Sequence, residues 1–153
     1  MKMVRGLSIL VIVLGVVAIV IGGVFISQGF AKNKLIVDRM EVEKVSLALD
    51  PNNPDVYTKV EDINAAQEAA DIIAEHRRGI APSYQELLAC GRYDPTNPEH
   101  LMYAQAMNLE NYLYLAVAAF GLVQVAMASG GAMVVMGIAL GGTGLAIYRL
   151  SRQ

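Results

Sequence analysis

The chain has 153 residues, of which 55% are apolar and 17% charged, and its formal net charge is −2. Such an imbalance is unlike that of an ordinary soluble domain, and it lacks the basic excess that attracts nucleic acid. A single cysteine, Cys90, excludes an internal disulfide framework.

The charge is also segregated. No side chain is charged from Gly6 to Ala31, and none from Asn111 to Tyr148. A helix rises about 1.5 Å per residue, so about 20 apolar residues cross the roughly 30 Å hydrocarbon core of a bilayer. Lipid offers backbone groups no hydrogen-bond partner, so each run reads as a continuous transmembrane helix. A cleaved signal peptide is the competing reading of the first run. Its apolar region is usually about 7–15 residues long and ends in a small-x-small site. The run here is much longer, and Ser27-Gln28-Gly29 is a poor cleavage site. A retained span is expected.

Within the first span, Ser8, Gly15, Ala18, Gly22 and Gly29 recur at spacings that place them on one helix face. The stretch AKNKLIVDRMEVE then continues as helix beyond the span. KVSLAL alternates as a strand does, and VYTKV is rich in β-branched and aromatic residues, so the pair suggests a β-hairpin with a long loop. DINAAQEAADIIAEHRRG reads as a helix capped by Asp62 and stopped by Gly79, with Ile63, Ala66, Ala70 and Ile73 sharing a face. Ser83 and Glu86 form a capping box for YQELLA, which Gly91 ends. Finally EHLMYAQAMNLENYLYL brings Leu101, Ala104 and Leu109 to one side and runs into the second span. That span carries a second stripe: Gly130, Gly137, Gly141 and Gly144. Small residues permit close helix approach in lipid, and two stripes in one hairpin favour packing of the spans on each other or on a second copy.

The second uncharged run would make a helix of about 57 Å, too long for one crossing. Asn111 to about Leu115 therefore still belong to the outer domain, with Tyr112 and Tyr114 near one interface and Tyr148 near the other. Gln124 lies inside the span, where a bond to a neighbouring helix is expected rather than a transport path. The domain plan is residues 1–5 cytoplasmic, 6–31 first span, 32–112 extracytoplasmic domain, 113–148 second span with its outer end projecting, and 149–153 cytoplasmic. Lys2, Arg5, Arg149 and Arg152 flank the spans without an adjacent acid, and all 14 acidic residues lie between Asp38 and Glu110. Basic flanks stay inside, so both termini are expected in the cytoplasm.

Two near-copies of one hexapeptide, DPNNPD from Asp50 and DPTNPE from Asp94, raise the question of paired cation sites. A calcium loop needs six to eight oxygens and a glycine at its bend. Neither copy has a glycine, whereas Asn97 is a good N-cap, Pro98 fits a first helical turn, and Glu99 suits the positive helix end. Punctuation is the better reading, and no longer repeat surrounds the copies. His76 and His100 are the only histidines and lack metal-ligand spacing. Arg77 and Arg78 are the candidate partner-facing residues, for an anionic partner or lipid head group, unless they only balance Glu75 and the helix end. Cys90 reads as a small buried hydrophobe, with an intermolecular disulfide as the sharper alternative.

The segments EHRRGIAPSYQELL, GRYDPTNPEHLMYAQAMNLENYLYLAVAAFG and GIALGGTGLAIYRL, with the first span, resemble a group of bacterial two-pass membrane proteins of unassigned activity. The resemblance covers most of the chain and implies topology. Some similar proteins carry a ring-opening dioxygenase label, but no His/His/carboxylate iron site can be named in this chain.

The expectation is a mainly α membrane protein in the bacterial inner membrane: two transmembrane helices flanking a small, mostly helical extracytoplasmic domain. It is expected to be non-enzymatic and without cofactor or metal, an accessory or structural subunit whose partners are the bilayer and other membrane subunits or copies of itself. The alternatives are a metal-site enzyme using His76 and His100, or an oligomeric pore.

Overall fold

The computed structural model describes residues 2–42, 46–48, 57–89 and 91–152. Six elements follow in order: α1 (Lys2–Val42), β1 (Ser46–Ala48), β2 (Tyr57–Lys59), α2 (Ile63–Ile80), α3 (Tyr84–Leu88) and α4 (Pro98–Leu150). The protein is mostly helical. Both α1 and α4 are long and apolar enough to cross a membrane. The chain divides into two compact units, one of residues 1–33 with 122–153 and the other of residues 34–121.

The second unit is built on alanine. Ala66, Ala69, Ala70 and Ala74 are the buried residues of α2, so its inner face is nearly flat. Against it lie Val60, Leu113, Ala116 and Phe120, with Ile36, Val37, Met40, Ile63 and Ile73 filling the margins. Small residues on one helix let large ones on another approach without a void. Leu113, Ala116 and Phe120 are thus core residues of this unit, which runs on to Gly121. The side of α4 that carries them is covered by protein there. The strands are short and pair antiparallel, with Ser46 opposite Lys59 and Ala48 opposite Tyr57.

Local chemistry sets the helix ends. Asp62 caps α2, its Oδ1 accepting from the Ala65 N–H at 2.8 Å. The expected stop at Gly79 is a misreading: α2 passes through Gly79 to Ile80. Pro82 explains the difference, because the residue before a proline is forced out of the helical region. Ala81 is extended accordingly, at φ −151° and ψ 139°, and its N–H still donates to the Arg77 carbonyl. Gly91 is not the stop of α3 either. Ala89 takes the left-handed turn, at φ 44°, and it is the only non-glycine residue with positive φ among those described. Ser83 caps α3 as expected: its Oγ accepts from the Glu86 N–H and donates to the Glu86 carboxylate at 2.8 Å.

The second hexapeptide is a helix start. The Asn97 side-chain oxygen accepts from the Glu99 N–H at 2.9 Å, and its carbonyl accepts from the Leu101 N–H. Asp94 Oδ1 accepts from both the N–H and the hydroxyl of Thr96, and these bonds hold its carboxyl below the usual aspartate range. The turn's contribution is therefore present above that range and is lost as acid protonates Asp94 below it. Asp94 Oδ1 and the Asn97 side-chain oxygen thus bond the chain's own donors, the work of a turn and a helix cap. Replacing Asn97 by Ala should cost about 1 kcal/mol in thermal unfolding, unchanged by millimolar calcium. The first copy, Asp50 to Asp55, and Cys90 lie outside the described residues.

Candidate functional site

The first unit is held by backbone against backbone. The buried residues of α1 are Ser8, Gly15, Gly22 and Gly29, one every seven residues. On α4 in the same unit they are Val123, Gly130, Gly137 and Gly144, again every seventh. A methyl group built on Gly15 would stand 2.7 Å from the Gly137 carbonyl oxygen, and one on Gly137 would stand 2.6 Å from that of Gly15. Gly22 and Gly130 are related in the same reciprocal way, at 2.6 and 2.7 Å. Gly144 meets the Ser8 carbonyl at 3.0 Å, and Gly29 meets Met127. As α1 numbers rise by seven, their α4 partners fall by seven, so the helices run antiparallel. Only glycine at these positions lets the two backbones approach so closely. The Ser8 hydroxyl is buried there and donates to the Arg5 carbonyl at 2.9 Å.

The seam uses the candidate glycines unequally. Ala18 is half-buried. Gly141 contributes only its backbone: Gly15 approaches it, while a side chain at Gly141 would point into open space. Gly6, Gly23, Gly131 and Gly142 also face open space. Gln124 is exposed, and among the described residues it has no hydrogen-bond partner.

In the second unit, sequence reasoning missed the strongest polar cluster. Arg77 Nε donates to Glu110 Oε2 at 2.6 Å and Nη2 reaches Oε1 at 3.4 Å, a two-point clamp between α2 and α4. Nη1 donates to the Tyr103 hydroxyl, and the guanidinium carbon lies 5.0 Å from the Tyr103 ring centre. The Tyr84 ring lies against that of Tyr103, the two centres 6.2 Å apart and the planes tilted by 39°. The two charged side chains are only 13% and 11% exposed, and Tyr103 is 1% exposed. The hydrogen bond to Glu110 raises the guanidinium above its ordinary value, against the opposing effect of burial. Arg77, expected to face a partner, is spent on this internal contact, while Arg78 is exposed. The face of α4 that is buried here is Tyr103, Glu110 and Leu113, whereas Leu101 and Leu109, expected to share one side of the helix, are 42% and 40% exposed.

The histidines have separate surroundings. His76 is exposed on α2. His100 Nδ1 accepts from the Asp94 N–H at 3.0 Å and its ring stacks on Tyr93. Among the described residues, no group of three or more His, Cys, Asp or Glu side chains is arranged to hold a metal ion. Tyr114 donates to Asp71 at 3.0 Å, which ties α4 to α2 a second time. The Lys59–Glu41 pair, 2.6 Å apart, is exposed and raises the lysine's pKa, but such surface pairs stabilise little.

No family model, curated protein or solved structure matches this chain.

Proposed function

We propose that the chain is a two-pass protein of the bacterial inner membrane that works by interaction: a glycine-seamed hairpin displaying a small extracytoplasmic domain to a partner subunit or to further copies. One observation carries the reading. The first unit turns its small residues inward and its large ones outward: Leu7, Val20, Val135 and Ile138 are 64%, 60%, 69% and 62% exposed. A core helix of a soluble protein would bury such side chains, whereas lipid is a suitable solvent for them. The uncharged part of α1 and the stretch from Leu122 to Tyr148 each span about 40 Å, enough to cross the roughly 30 Å hydrocarbon and reach into the headgroup region on both sides. Orientation rests on the four cations of the two ends. The intervening region exceeds the roughly 60 residues over which loop charge governs insertion.

The second unit supports an interaction role through its surface. Leu101, Met102, Tyr112 and Leu115 are 42%, 58%, 70% and 65% exposed along α4. Its most concentrated charge, Arg77 with Glu110, is used to join helices rather than to line a cleft. The full chain should be isolated from native membranes in mild detergent, and its native mass and metal content measured. A fixed ratio of a second membrane subunit, or a defined homo-oligomer, supports the reading. Stoichiometric metal lost on replacing His76 and His100 overturns it in favour of an enzyme.

A further inference from the structure

We draw no further inference here: the strongest candidate, the exposed apolar surface that Leu101, Met102, Tyr112 and Leu115 form along α4 in the second unit, has nothing in the structure to show what covers it.

Discussion

Alanine at Gly22 or Gly130 is expected to destabilise the helix pair by about 1–3 kcal/mol, while alanine at the adjacent Gly23 or Gly131 is expected to be neutral or stabilising. The four positions differ only in direction. A methyl group on Gly22 or Gly130 would sit 2.6 or 2.7 Å from a carbonyl oxygen of the other helix, and that oxygen belongs to backbone and cannot rotate away. Either the helices separate, losing dispersion contacts over several turns, or the backbone strains. At Gly23 and Gly131 nothing lies within 4 Å. There alanine brings only its higher helix propensity, worth up to about 1 kcal/mol. Leucine at Gly22 or Gly137 should be more damaging still, whereas Val20→Leu, on a side chain 60% exposed, should be nearly silent. Thermal unfolding in detergent reads all of these. Equal tolerance at Gly22 and Gly23 would remove the seam from the account.

The second large effect belongs to the clamp between α2 and α4. Glu110→Ala or Arg77→Ala should each cost about 3–5 kcal/mol, because either change strands a charge that is nearly closed off from water. Removing both should cost clearly less than the two losses added, since neither charge is then left alone. Tyr103→Phe removes one hydrogen bond to a charged group and should cost about 1.5–3 kcal/mol. Additive losses in the double variant would mean that the two side chains act separately, against the 2.6 Å contact between them.

These two sites differ in how far they could be read from the residues alone. The long uncharged runs are visible because length and charge are one-dimensional properties. The seven-residue spacing is likewise written in the chain. Which side of α4 closes on α1 is not, and Gly141 belongs to the stripe on paper while its side-chain position faces open space. The clamp was hidden for a different reason. A search for apolar faces on α4 selects Leu101 and Leu109 and passes over Tyr103 and Glu110, because burying a carboxylate requires a partner. That partner is Arg77, 33 residues earlier, and nothing local announces it. The helix ends fall between these cases. Pro82 was available as the terminator of α2, and weighting it above Gly79 would have found the end. Ala89 in a left-handed turn gives no such signal.

Cysteine accessibility on intact cells tests the central claim most directly. In a Cys90→Ser background, a cysteine at Glu68, exposed on α2, and one at Ser151, beyond α4, are treated with a membrane-impermeant maleimide. The hairpin as proposed predicts labelling at Glu68 in intact cells and labelling at Ser151 only after permeabilisation. Labelling at Ser151 with protection at Glu68 would contradict the orientation, and equal labelling at both would contradict the two crossings themselves.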